Sequence, residues 1–225
     1  MSEILKKHPM PFVRLDLVVL SVTDDQLQVL LSHRSEAPHK GKWGLPGGVL
    51  RIDLDGSLEA AAQRVANERL NRSLPNIEQV AALGGAKRDP RAPWAMSVVY
   101  RSLVQSDLET EPGKRVVALG WRNVKEVIRK DDLAFDHAKL VQMAVESIRQ
   151  EIRDLRFPPG WVPEEFTLSE LQGLSEAVLG ESIDKVTFRR RMDALGIGIP
   201  LEGKMRSGSA HRPAQLYRMK KTQAN

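Results

Sequence analysis

Residues 47–74, GGVLRIDLDGSLEAAAQRVANERLNRSL, set two glycines and an acidic loop ahead of a helical run containing Glu68. Carboxylates beside a glycine turn are what a diphosphate-hydrolysing metal site needs. A hard divalent ion takes several oxygen ligands in near-octahedral geometry. The helical run offers Glu68 alone, with Arg69 directly after it. A positive charge at that place opposes a cation by Coulomb repulsion. Asp53, Asp55 and Glu59 are further acids, but acids in a loop more often cap turns than bind metal. The sequence therefore predicts no catalytic residue, no metal ligand set and no required cofactor. It predicts a cleft that binds.

What such a cleft would bind follows from the cations and aromatics around it. A dinucleotide diphosphate asks for guanidinium or backbone N–H donors for its phosphates and an aromatic face for a base. Arg34, Arg88 and Arg91 are candidates for the phosphates or ribose, with the Gly47-Gly48 turn beside them. Trp43 or Tyr100 is the candidate for the base. Each aromatic taken alone is equally well a core residue. Arg88 alone could serve only to pair with Asp89, and a lone His137 is more often structural than a ligand contact.

A second chemistry lies near the other end, in Lys185-Val186-Thr187-Phe188-Arg189-Arg190-Arg191-Met192. On a helix, Phe188, Met192 and Leu195 form one apolar stripe toward a core. Lys185, Thr187, Arg189, Arg190 and Arg191 are then the candidates for contact with DNA. Arginine takes phosphates or binds guanine bidentately in a major groove. The stretch 204–213 reads as a wing whose Lys204, Arg206, His211 and Arg212 reach phosphates or the minor groove. Charge supports this. Residues 181–225 carry a net +6, while the rest of the chain carries a net −1. A solvated charged helix with a loose loop is the plainer alternative.

Elements must position these groups. Residues 13–22, 27–33, 77–84, 96–104 and 116–121 read as strands, with a turn at Asp24-Asp25. Residues 57–71, 123–129 and 135–156 read as helices, the first capped by Ser57. The Pro/Gly-rich stretch 157–163 predicts a boundary between a domain at 1–156 and another at 157–225. Beyond it, Thr167 and Glu170 form a capping box for a helix over 168–179 that Gly180 stops. A second helix starts at Ser182 or Asp184 and ends at Leu195, and a hairpin joins 197–201 to 215–219. The fold class is α+β: an α/β/α sandwich followed by a winged helix-turn-helix.

Composition bounds the rest. The chain has 225 residues, a net charge of +5, a 41% hydrophobic share and no cysteine. That excludes disulfides and thiolate metal sites. No stretch approaches the 18 apolar residues of a membrane helix, and no secretory leader is read at the start. A cytoplasmic protein with no membrane partner is expected.

The 47–74 segment resembles a Nudix box that has lost most of its acids. The pattern's helix, Arg-Glu-x-x-Glu-Glu-x-Gly, aligns its first Glu with Val65, its last with Arg69 and its Gly with Asn71. Gly56 falls where the loop Glu would lie. Gly41-Lys42-Trp43-Gly44-Leu45-Pro46-Gly47-Gly48, Arg88-Asp89-Pro90-Arg91 and Phe135-Asp136-His137 resemble the Nudix branch that takes ADP-ribose-like ligands. With the basic C-terminal part, nearly the whole chain is similar to the Nudix-related transcriptional regulators of NAD metabolism, the NrtR family. The resemblance implies a homodimeric repressor of NAD biosynthesis genes on a palindromic double-stranded operator. It implies ADP-ribose as effector, held by residues that include Asp89, Asp136 and His137. Two other readings stay open: a Nudix hydrolase acting on ADP-ribose or similar nucleoside diphosphate derivatives, and an RNA- or protein-binding adaptor.

Overall fold

The structure, a computed structural model, describes residues 10–208 and 211–220, without the side chains of Gly208, His211 and Arg212. Strand β1 (Phe12–Thr23) runs through the middle of a seven-stranded mixed sheet. It pairs antiparallel with β2 (Gln26–Arg34) and parallel with β6 (Trp94–Val104). Two short strands, β3 (Trp43–Gly44) and β4 (Gly47–Val49), join β2 and β1 respectively. β5 (Glu78–Ala86) pairs β6, and β7 (Val116–Asn123) pairs β2.

Both faces of β1 are buried because its apolar residues fill both sides of the pleat. Leu15, Leu17 and Val19 pack against helix α1 (Leu58–Leu70). Val18, Leu20 and Val22 pack on the opposite face with helix α3 (His137–Arg153). The sandwich therefore has a helix on each face, as the sequence predicts. Ser57 caps α1 by accepting the Ala60 N–H at 3.1 Å, and Asn71 ends it in the left-handed conformation. A short helix α2 (Val124–Lys130) follows β7. The start of α3 differs from expectation. Phe135 has φ +54°, outside helical space, so the helix begins at His137 rather than 135.

The C-terminal part comprises α4 (Leu168–Leu179), α5 (Lys185–Leu195) and a hairpin of β8 (Gly198–Gly208) with β9 (His211–Met219). The Thr167–Glu170 capping box forms, with Glu170 accepting the Thr167 N–H at 2.8 Å. The hairpin is longer than predicted, so its basic residues sit on strands instead of in a loop. A register shift between Pro200 and Met205 bends it.

In the stretch 157–163, expected to be a boundary between domains, Pro158, Trp161 and Val162 are buried while Pro159 and Pro163 are exposed. Trp161 is 2% exposed, and Trp161, Val162 and Phe166 belong to the same apolar cluster as α3. That cluster continues into α4 and α5 through Leu171, Val178, Phe188 and Met192. No helix among the described residues is long and apolar enough to cross a membrane.

Candidate functional site: a cationic cleft and a basic helix

A cleft of about 480 Å³ opens beside the Gly47-Gly48 turn. The turn must be glycine. A Cβ on Gly47 would lie 2.4 Å from Asp16 Oδ1, and one on Gly48 would lie 2.7 Å from Val65 Cγ2. Arg14, Arg34, Arg64, Arg69, Arg91 and Arg115 line this cleft with Lys114, and Glu36 and Glu68 are its acids. Arg34 reaches it at a bulge, where the pairing of β2 with β7 shifts register after His33. Its Nε donates to Pro38 O at 2.9 Å, and its guanidinium lies 5.1 Å above the Phe135 ring. Burial, with Arg14 and Arg91 nearby, holds Arg34 below the usual guanidinium range. So many partly desolvated like charges favour a polyanion in the cleft.

A second network lies against the cleft. Asp16 is 0% exposed, accepts hydrogen bonds from Ser97 Oγ and Arg14, and has its carboxyl held below the usual range. Burial opposes that shift, and the Arg14 charge with the Ser97 and Arg14 hydrogen bonds outweighs it. His137 Nδ1 accepts the Leu45 N–H at 2.8 Å, which leaves the proton on Nε2, 3.7 Å from Asp16 Oδ1. Burial pushes the His137 pKa down to about 4, so the ring is neutral at pH 7. Asp136 takes Arg88 bidentately at 3.0 and 2.7 Å and makes no side-chain cap bond to α3. Asp89 is buried and holds Arg91.

Of the expected ligand residues, Arg34, Gly47, Gly48 and Arg91 line the cleft together. Arg88, Asp89, Asp136 and His137 form the adjoining wall around Asp16. The two aromatics lie elsewhere. Tyr100 is 1% exposed, packed in the cluster under α1, its hydroxyl 3.3 Å from Glu59. Burial, then the Glu59 charge, raises its pKa to about 12. The Trp43 face is covered by the Arg122 guanidinium at 4.9 Å, with His33 edge-on. Neither ring has a face open to this cleft. Arg14, Arg64, Arg69, Lys114 and Arg115 were not singled out as ligand residues. A signal existed for Arg14: it and Asp16 are charged residues two apart, hence on one face, in an otherwise apolar strand.

In the C-terminal part, Lys185, Thr187, Arg189 and Arg190 are exposed on α5 while Phe188 and Met192 are buried. Lys185 and Arg189 line a groove shared with Ser169 at the start of α4 and Pro213 on β9. Thr187 also takes part in the Asp184 cap, its N–H donating at 2.8 Å. Leu195 does not join the apolar stripe. It is 57% exposed in the last turn, just before Gly196 ends the helix. Arg191 turns away from Arg189 and donates to Arg153 O at 2.7 Å, so it faces the sandwich. Lys204 pairs with Glu165, and Arg206 with Glu170 at 2.7 Å. The side chains of His211 and Arg212 lie outside those described.

The comparisons fit this architecture. Residues 13–144 match the NUDIX domain model, and residues 160–219 match the NrtR DNA-binding winged helix domain. The ADPR responsive transcriptional repressor NtrR of Acinetobacter baylyi is 37% identical over 94% of this chain and 83% of its own length. The chain belongs to the NrtR family. Shewanella oneidensis NrtR, in a crystal structure with a 27mer DNA, aligns over 92% of this chain and 93% of its own, at 33% identity and a TM-score of 0.76. The NUDIX domain of that protein with ADP ribose covers 66% of this chain and 99% of its own, at 33% identity and a TM-score of 0.59.

The divalent cation of the Nudix hydrolase pattern does not fit this NrtR-family cleft. Val65 presents hydrocarbon to the glycine turn, and Arg69 Nε donates to Gly47 O at 2.8 Å. Glu68 is paired with Arg64 at 3.3 Å, and Arg64 also grips Asp55 at 2.6 and 2.7 Å. Asp53 pairs with Arg51, and Glu59 sits at the Tyr100 hydroxyl. The replacement carboxylates are thus dispersed or neutralised. Among the described residues no group of three or more His, Cys, Asp or Glu is arranged for a metal.

Proposed function

We propose that this chain is a transcriptional repressor that binds an operator through α5 and the β8–β9 wing and releases it when ADP-ribose fills the cationic cleft. The observation that carries this reading is the wiring of the two sites through one rod. Helix α3 has 17 residues, about 25 Å at 1.5 Å per residue. At its first turn His137 holds the Leu45 N–H, and Asp136, just before it, holds Arg88. At its far end Arg153 O accepts Arg191 of α5, and Arg149 Nε donates to Val178 O of α4. A diphosphate that draws Arg88 and its neighbours inward acts on one end of α3, while the DNA-reading helix leans on the other.

Two copies on a palindromic duplex would set their α5 helices about 34 Å apart, or a multiple of that. A small tilt would then misplace both at once. A ligand preferring the released arrangement by a few kcal/mol suffices to free the operator. The Acinetobacter relative is an ADPR responsive repressor and the Shewanella relative was crystallised with DNA and, as its NUDIX domain, with ADP ribose, which supports this reading. Control of NAD biosynthesis genes and a place in the cytoplasm beside the chromosome belong to the same proposal. The cleft acts by occupancy, without efficient hydrolysis.

The test is fluorescence anisotropy of labelled operator duplex with the full chain. Saturating ADP-ribose is expected to release the DNA, and an unchanged binding curve overturns the effector assignment. Hydrolysis is checked separately. Rapid formation of phosphate-ester products with magnesium or manganese, lost in Glu68→Gln, would favour the hydrolase reading.

A further inference from the structure

We propose that the Arg69 guanidinium stands in the place of the divalent cation and binds the diphosphate itself, so that this cleft takes its nucleotide free of metal. The inference rests on the reading of the cleft as a nucleotide receptor and adds how the phosphates are held.

Positions 65 and 69 lie one turn apart on α1 and both meet the glycine turn. Val65 fills one place with methyl groups against Gly48. Arg69 fills the other, fixed by two neutral carbonyls: Nε donates to Gly47 O at 2.8 Å, and the head group donates again to Lys114 O at 2.7 Å. Backbone carbonyls are among the oxygens a hard cation takes. Here the Gly47 carbonyl is taken by a guanidinium.

The two carbonyls orient the Arg69 head group without neutralising it. No carboxylate forms an ion pair with Arg69 among the described residues, because adjacent Glu68 is held by Arg64. A guanidinium has five N–H groups. Those of Arg69 beyond these two bonds find no acceptor among the described residues. Burial holds Arg69 below the usual guanidinium range; the nearby Glu68 carboxylate offsets part of this, and Arg115, Arg14 and Arg64 crowd the same charge. A fixed, half-buried guanidinium that lines a cleft and has no ion-pair partner among the described residues is a receptor for phosphate oxygens. Magnesium brings two positive charges to a diphosphate and must itself be caged. Arg69 brings one and is already in place.

The experiment is isothermal titration calorimetry of the full chain with ADP-ribose and, separately, with inorganic pyrophosphate, in EDTA and in millimolar magnesium. The ADP-ribose affinity is expected to agree between the two buffers within about twofold. Arg69→Gln is expected to weaken it about tenfold to a hundredfold, since an ionised hydrogen-bond donor is lost. Thermal unfolding of that variant reports whether it folds, and the wild-type metal comparison does not depend on it. ADP-ribose affinity that rises tenfold or more with magnesium, or a folded Arg69→Gln that binds as well as wild type, overturns the proposal. Pyrophosphate binding in EDTA without ADP-ribose binding keeps metal-free recognition and removes ADP-ribose as effector. Binding of neither overturns both.

Discussion

Arg191, the last in a run of three arginines, spends its guanidinium on the carbonyl of Arg153 at the end of α3, 2.7 Å away. Arg189 and Arg190, exposed like Arg191, make no such side-chain bond among the described residues. Arg191 thus serves the joint between the parts, and on the function proposed above Arg189 and Arg190 are left for DNA.

Arg189→Ala and Arg190→Ala should each weaken operator binding and lower the slope of log affinity against log salt by about 1, if each releases one phosphate contact. Arg191→Ala should leave that slope unchanged. It should instead reduce the effect of ADP-ribose on operator affinity, by about 0.5–2 kcal/mol of coupling. Anisotropy titrations over a range of salt, with and without ADP-ribose, separate the two behaviours. Equal salt slopes for all three variants would remove the division.

Lys204→Ala and Arg206→Ala should change stability little. Their partners Glu165 and Glu170 are exposed, and surface ion pairs contribute about 0–1 kcal/mol. Exchange of these carboxylates for DNA phosphates costs little, so operator affinity should fall while the melting temperature stays put. A large drop in melting temperature would mark the wing pairs as structural.

Stability should fall as the pH drops from 6.5 toward 4 because of His137. Burial depresses its folded pKa to about 4, from 6.5 for a free imidazole. Below 6.5 the unfolded chain takes up a proton that the folded ring refuses, so the stabilisation is present above that pH and lost on the way down. The slope is at most about 1.4 kcal/mol per pH unit. Asp16, held below 3.8, loses its contribution only at still lower pH. Urea midpoints measured across this range should flatten in His137→Gln. An equally steep variant would assign the slope to other groups.

Asp16→Ala should cost about 3–5 kcal/mol, because it leaves the buried Arg14 without its charge partner. Urea denaturation reads the loss directly, and a cost under 1 kcal/mol would mean that Arg14 finds water or another acceptor.

Much of this was legible in the residues. The β-branched run of β1, the caps at Ser57 and Thr167, and the stop at Gly180 are local signals, and the elements follow them. The glycine turn announced the cleft that opens beside it. What failed depended on direction. Tyr100 alternates with Val98 and so faces α1, which no composition reveals. Successive helical residues are about 100° apart, so Arg191 points about 160° from Arg189, whatever the run of like letters suggests. The cleft's cations come from β1, β2, α1, the loop before β6 and the segment before β7, distant in sequence and gathered only by the fold. The burial of Trp161 and Val162 was likewise not legible, because the stretch 157–163 around them has the composition of a linker.

That last feature bears on how such a regulator can be rebuilt. Because Trp161 and Phe166 pack into the same hydrocarbon mass as α3, scission at the prolines would bare greasy surface on both fragments. A designer wanting this reader on a different sensor would have to transplant α3 with it, and would inherit part of the sensing wall in the bargain.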